Sequence, residues 1–261
     1  MVLKYVLGWF LVISGKETCI KMARLSLYLA LATFLSLLSI GGFVLYSIIR
    51  HEPNFYKTAL LVANDPNKGE KAKEFTSECF EFVGAVGTEK EWYAQFKEDQ
   101  INSFFSEELD ETGNKNKFFP DYIRAPRICL EPDRLRLAFR WGEGKLSTII
   151  SAELKLWLAK DEPNVVAIQV YSLKAGALPI SLLSMFDKIS DTARQNGIEV
   201  SWYRHQGKPV AVVRFQADQP RPTMLLQALE IERGFLTLRG KNMDSNRPEI
   251  PIANKQLSSA N

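Results

Sequence analysis

Three arginines, Arg134, Arg136 and Arg140, fall at even spacing in a stretch whose odd positions are Leu135, Leu137, Phe139 and Trp141. Successive side chains of a strand point to opposite faces, so the three guanidinium groups share one side. That row suits anionic lipid headgroups or a phosphate-bearing partner. The more ordinary reading is a wet sheet face with cross-strand ion pairs to Glu153. Glu107, Glu108, Asp110 and Glu111 crowd the end of a helical stretch. Paired carboxylates can serve a hydrolase, and an acidic run beside a Gly/Asn loop is also an ordinary solvated end. The two histidines stand apart, His51 just after an apolar run and His205 in the turn-like Arg204-His205-Gln206-Gly207. Neither has a second His or a Cys at metal-ligand spacing. There is no nucleophile elbow, phosphate loop or dinucleotide fingerprint, and Gly142-Glu143-Gly144 is too short to cradle a phosphate. We therefore assign no catalytic, cofactor or metal residues, and an enzyme is the least expected reading.

The element that must position any such site is the apolar run Leu25–Ile49, which holds no charge and ends at Arg50. It exceeds the roughly 20 residues that cross a bilayer, and it is too long for a signal-peptide core. We read it as a single-pass signal anchor. Lys16, Lys21 and Arg24 precede it and Arg50 and Lys57 follow, a slight excess that puts the N-terminus inside and the body outside the cytoplasm. Met1–Gly15 is apolar apart from Lys4; residues 1–24 are either a cytoplasmic extension or a consequence of a start at Met22. The expected organisation is an extension (1–24), an anchor (25–49), an extracytoplasmic α+β domain (50–240) and a polar, Pro-bearing disordered tail (241–261).

Composition narrows the partners. The 261 residues carry 33 basic and 30 acidic side chains, and no block of like charge or aromatic–basic stacking motif marks a nucleic-acid surface. The expected partners are the bilayer itself and a lipid ligand or an envelope protein. Cys19, Cys79 and Cys129 lie far apart. Cys79 and Cys129 fit buried apolar positions, and their spacing leaves a disulfide open.

Along the body, Glu52–Ala63 reads as a juxtamembrane helix. Asp65-Pro66 supplies a cap and a first helical position for a helix whose stripe is Ala72, Phe75, Cys79, Phe82, Val83 and Val86, ended by Gly84 and Gly87. Trp92, Ala94 and Phe96 alternate as a strand; Glu98–Leu109 is helical, and Asp110–Phe119 reads as a loop. From Ile128 the period becomes two. Turn signals at Pro132-Asp133, Gly142–Gly144 and Asp161–Asn164 separate long strands, a pattern that implies antiparallel pairing. A helix from about Pro179 to Gln195 follows, with Leu182, Leu183, Phe186, Ile189 and Ala193 on its apolar face, stopped by Asn196-Gly197. Further strands close the series. The fold expected is α+β: a long antiparallel meander sheet curved around that one amphipathic helix, with additional N-terminal helices.

Three segments carry a resemblance: Phe96-Lys97-Glu98-Asp99-Gln100-Ile101-Asn102, Leu135-Arg136-Leu137-Ala138-Phe139-Arg140 and Ala175-Gly176-Ala177-Leu178-Pro179. With them the chain resembles an uncharacterised family of bacterial single-pass membrane-anchored proteins, from the anchor to about Gly240. Lys97 stands where that pattern has a Thr cap. The layout is also similar to envelope lipoproteins of the tubular lipid-binding type, which implies an apolar groove between sheet and helix. The expected function is a membrane-anchored, non-enzymatic envelope domain binding a lipid or other amphiphile beside Leu182, Leu183, Phe186 and Ile189, with Arg134, Arg136 and Arg140 toward headgroups. The alternative is a structural domain docking on another envelope protein.

Overall fold

A computed structural model describes residues 28–108, 123–142, 144, 147–181, 186–195, 198–214 and 222–243. The chain divides into two compact units, Met1–Ile48 and Ile49–Asn261. Helix α1 (Tyr28–Ile49), all but its last residue in the first unit, is apolar along its length, with a mean hydropathy of 2.0 and none of its most apolar stretch buried. Two of its hydroxyls turn back on its own backbone: Thr33 donates to the Ala30 carbonyl at 2.8 Å and Ser39 to that of Leu35 at 2.9 Å. Such internal pairing is what an apolar surrounding requires of polar groups. The helix is compatible with a signal anchor or a signal sequence. Residues 1–27 lie outside the described residues, and the start-site expectation with them.

The second unit is α+β, as its changing period implies. Helix α2 (Asn54–Leu60) runs into a 3-10 turn (Leu61–Asn64). Asp65 then caps a turn, not a helix: its Oδ1 accepts from the Asn67 amide at 2.9 Å, and α3 (Lys68–Thr88) begins behind Asn67, two residues later than the Asp65-Pro66 signal suggests. Gly84 and Gly87 lie within α3 instead of ending it. Packing of Phe75, Cys79 and Phe82 on the core holds those turns helical against the weak propensity of glycine. Strand β1 (Glu91–Lys97) buries Trp92, Ala94 and Phe96, and α4 (Glu98–Glu108) follows without a break. The Asp110–Phe119 loop reading lies outside the described residues.

The remaining strands are β2 (Ile123–Glu131), β3 (Arg134–Trp141), β4 (Thr148–Leu158), β5 (Val165–Ala175), β6 (Leu178–Pro179), β7 (Glu199–His205), β8 (Lys208–Arg214), β9 (Met224–Glu232) and β10 (Phe235–Asn242). They form two antiparallel sheets where one was expected. Seven strands lie in the order β2-β3-β4-β5-β8-β7 with β6 on β5, and three in the order β1-β10-β9. β1 therefore joins the C-terminal hairpin. β10 extends to Asn242, so the polar tail begins later than residue 241; residues 244–261 lie outside the described set. The main core lies between the sheets, where Leu130, Leu135, Leu137 and Leu156 meet Ile231, Leu229 and Leu236, closed by Phe75 and Phe82 of α3 and Ile101 of α4. On the opposite face of β3, Ala138 is fully buried beneath Tyr56 of α2.

Two asparagines join the layers. Asn102 of α4 donates to the Ile128 carbonyl and accepts from the Ile128 amide, both at 2.9 Å. Asn164, in a left-handed turn (φ 56°) between β4 and β5, donates to Met224 O at 2.6 Å and accepts from Leu226 N at 2.8 Å. Each side-chain amide supplies one donor and one acceptor and so stands in for a peptide unit of a neighbouring strand.

Helix α5 (Phe186–Gln195) starts later than Pro179, which belongs to β6 and pairs with Lys174. Its packing is on β7, the outer strand of the larger sheet.

Candidate functional site

The register places Arg134, Arg136, Ala138 and Arg140 on the α2 side of β3, together with Ile149, Ser151 and Glu153 of β4 and Ser172 and Lys174 of β5. The arginines thus share a face, and each has a carboxylate partner. Arg134 pairs with Glu153, Arg136 with Glu131 at 3.0 Å, and Arg140 with Glu52 at 3.3 Å. Aromatic rings steady two of them. The Arg136 guanidinium lies 5.9 Å from the Phe55 ring centre and that of Arg134 5.1 Å from Tyr171.

A basin of about 430 Å³ opens on this face, between the start of α2 and β3–β5. That volume falls in the range of roughly 300–1,000 Å³ typical of small-ligand clefts. Its cationic wall is Arg136 and Lys174; Ser151 and Ser172 add hydroxyls, Glu153 one carboxylate, and His51 and Phe55 form the α2 rim. Tyr56 fixes that rim: its ring is fully buried and its hydroxyl donates to the Ala125 carbonyl at 3.0 Å. Thr148 adds a second tie, donating to Ile49 O at 2.6 Å. Of the three arginines, only Arg136 lines the basin. Lys174 and His51 are its other cations or potential cations, and β5 alternation alone gave no reason to single out Lys174. The signal that would have found it is register: Lys174 sits opposite Ser151, which sits opposite Ala138.

The α5 residues are arranged differently. Leu182 and Leu183 lie outside the described residues. Phe186 stacks on Trp202 of β7, ring centres 4.2 Å apart and planes inclined by 18°, and the Trp202 indole donates to Ser190 Oγ at 2.9 Å. Ile189 is half-buried. The space beside this contact, lined by Ser190, Arg194, Ile198, Glu199 and Val200, measures about 270 Å³.

In the Phe96–Asn102 segment, Glu98, Asp99, Gln100 and Asn102 have structural partners. Glu98 accepts from the Leu130 amide at 2.6 Å. Gln100 donates to Glu74 at 3.0 Å and to Glu78 at 3.1 Å. A cleft of about 770 Å³ brings Glu98, Cys129 and Glu131 together. Burial pushes the Glu98 carboxyl up despite the Leu130 hydrogen bond. Burial, reinforced by the charges of Glu98 and Glu131, pushes the Cys129 thiol up to about 11. Cys79 is raised too, again chiefly by burial. Nucleophilic thiols need the opposite shift, and both cysteines are free thiols.

Elsewhere, Glu107 pairs with Lys68 at 3.4 Å, and Asp110 and Glu111 lie outside the described residues. His205 is exposed at the β7–β8 turn, whose Gln206 and Gly207 both have positive φ. Among the described residues no group of three or more His, Cys, Asp or Glu is placed to hold a metal. No family model, curated protein or solved structure matches the chain.

Proposed function

We propose that this chain is a membrane-tethered, non-enzymatic envelope domain, N-terminus inside and body outside the cytoplasm, that seats the anionic head of a lipid or similar amphiphile in the basin between α2 and β3–β5. One observation carries the reading. Arg136 and Lys174 converge on a basin whose rim begins at His51, two positions after the apolar helix ends at Ile49. A peptide chain reaches at most about 3.6 Å per residue, so an anchored α1 would hold this rim near the headgroup layer. There the negative surface potential of anionic lipids favours cationic side chains. The Glu153 carboxylate limits the net charge and favours a single seated head over broad adhesion to the surface. A seat beside α5 has less support, since Phe186 and Trp202 fill one another's apolar faces.

The test uses the full chain in nanodiscs of zwitterionic lipid, with and without one-fifth phosphatidylglycerol. Anionic lipid should slow amide exchange in β5 around Lys174, and Lys174→Glu should abolish that slowing without lowering thermal stability. Equal exchange in both nanodiscs would overturn the reading.

A second reading, docking on another envelope protein, is favoured by a different surface. Phe80 and Val83 of α3 are 75% and 67% exposed, and Tyr93 of β1 is 57% exposed. Phe80 and Val83 are neighbours three positions apart on one exposed stripe of α3, and exposed apolar patches mark interaction surfaces.

A further inference from the structure

Exposed Tyr93 points to a more specific docking feature, the outer edge of β1. Among the described residues no strand pairs with that edge. The ladder to β10 tells which groups it presents. Asn242 donates to Lys90 O and Glu98 to Gly234 O, both at 2.9 Å, and the register between these two bonds is unbroken. Antiparallel partners alternate between bonded and non-bonded pairs. Hence Trp92, Ala94 and Phe96 exchange bonds with β10, while Glu91, Tyr93, Gln95 and Lys97 aim their amides and carbonyls outward, the Lys97 amide being met by Gln100 Oε1 at 3.4 Å. Folded proteins usually cover, shorten or charge such an edge; here its centre is Tyr93 and Gln95, and both are exposed.

Beside this edge runs a groove of about 600 Å³, floored by Tyr93–Phe96 and walled by α3. Gly84 leaves its wall open, since a Cβ there would meet nothing within 4 Å. Three carboxylates line the groove, Glu78, Glu81 and Glu89, with no lysine or arginine. Glu78 Oε2 is buried without a hydrogen-bond partner. A buried carboxylate oxygen left in that state is costly unless a donor arrives.

We propose that this groove takes an extended peptide segment carrying basic side chains, which adds to β1 as a fourth strand of the smaller sheet. Main-chain bonds to Tyr93 and Gln95 supply the register; a Lys or Arg reaching Glu78, Glu81 and Glu89 supplies selectivity, the usual division of labour in strand addition. With the Lys97 amide held by Gln100, the stretch Glu91–Phe96 leaves about 20 Å for a partner strand to pair along. A second copy of this chain fits poorly, because it would bring the same acidic margin against itself. This inference rests on the docking reading and gives it a site and a partner chemistry; it is independent of the basin beside α2.

The experiment uses the full chain in nanodiscs and three eight-residue probes: alternating Lys/Val, alternating Glu/Val, and Lys/Val N-methylated along one edge. Hydrogen exchange at Tyr93 and Gln95 is the readout. The Lys/Val probe should slow both amides at least tenfold, and the other two probes should leave them unchanged. Tyr93→Pro removes an outward donor without touching the β10 ladder and should weaken the Lys/Val probe at least tenfold. Glu81→Gln with Glu89→Gln should weaken it several-fold and flatten its salt dependence, which decides the matter if the proline variant unfolds. Unchanged exchange with the Lys/Val probe, equal effects of Lys/Val and Glu/Val, or protection that grows with protein concentration in the absence of peptide would each overturn the proposal. In-cell photocrosslinking from position 80 separates the two levels. A defined partner captured there without β1 protection keeps docking and sinks strand addition. β1 protection without a cellular partner at position 80 or 93 keeps the peptide site and sinks docking.

Discussion

The Trp92 indole occupies the space that a side chain at Gly240 would need. The two are register partners on β1 and β10, and a Cβ at 240 would overlap Cζ2 and Cη2 of the indole and come within 2.6 Å of the Leu225 carbonyl. The β9–β10 register shifts between Arg239 and Gly240, so the glycine sits at a bulge with backbone on one side and the ring on the other. Gly240→Ala should therefore destabilise the domain by about 1–3 kcal/mol, the usual cost of overpacking a filled site. Trp92→Phe, which lacks the overlapping ring atoms, should recover part of that loss in the double variant. Urea unfolding of the four species would measure the coupling, and additive losses would show that ring and glycine do not compete for space.

Asn102 should be costly to replace even though it lines none of the clefts described above. Its amide satisfies both the N–H and the C=O of Ile128, and it is 1% exposed. Asn102→Ala leaves both backbone groups unpaired, at about 1–3 kcal/mol each. Asn102→Asp keeps an acceptor for the Ile128 amide but turns a carboxylate oxygen toward the Ile128 carbonyl, so it should not rescue. Thermal melts of the two variants check this. A melt for either variant matching that of the parent would mean that water replaces the amide.

Tyr56 tests how α2 is held. Tyr56→Phe keeps the packing on Ala138 and Ile149 and removes only the donor to Ala125 O. We expect a loss of about 1 kcal/mol, against about 3–5 kcal/mol for Tyr56→Ala. Arg134→Ala breaks an exposed pair and should cost less than about 1 kcal/mol. The ranking of the three variants by chemical denaturation is the check.

Gly84→Ala should stabilise the domain. The residue is inside α3 and faces open space, so the change carries only the helix-propensity gain of about 1 kcal/mol. A destabilised variant would mean that α3 ends before Gly84, as the sequence pattern alone suggests.

That disagreement over α3 shows where the sequence is legible. The strands β3, β4 and β5 are readable because alternation and turn residues are local signals, and Asp133 and Asn164 do adopt the left-handed geometry their turns imply. The shared face of Arg134, Arg136 and Arg140 follows from the same alternation. The pairing of β1 with β10 is not readable: Gln95 meets Thr237 across 142 positions, and nothing local in either segment names the other. The basin is hidden for a related reason, since Lys174 joins Arg136 only through two successive registers. Glycines 84 and 87 mislead because helix propensity is weak beside tertiary packing.

Glu98 and Cys129 give the pH dependence. Burial raises the Glu98 carboxyl above its ordinary 4.5, so the folded state binds this proton more tightly than the unfolded chain does. Stability should then fall as pH rises from 4.5 through the folded value, and stay lower above it. Glu98→Gln keeps an oxygen to accept the Leu130 amide and cannot ionise. It should be more stable than the parent at pH 7 and converge with it at pH 4. The neighbouring Cys129, raised to about 11, is a thiolate at pH 7 to only on the order of one part in ten thousand. Iodoacetamide should therefore modify it slowly in the native protein. Because the Glu98 charge is one cause of that shift, Glu98→Gln should speed the alkylation as well as shift the stability profile. A variant that changes stability and leaves the thiol's pH–rate profile unmoved would show that burial alone governs Cys129.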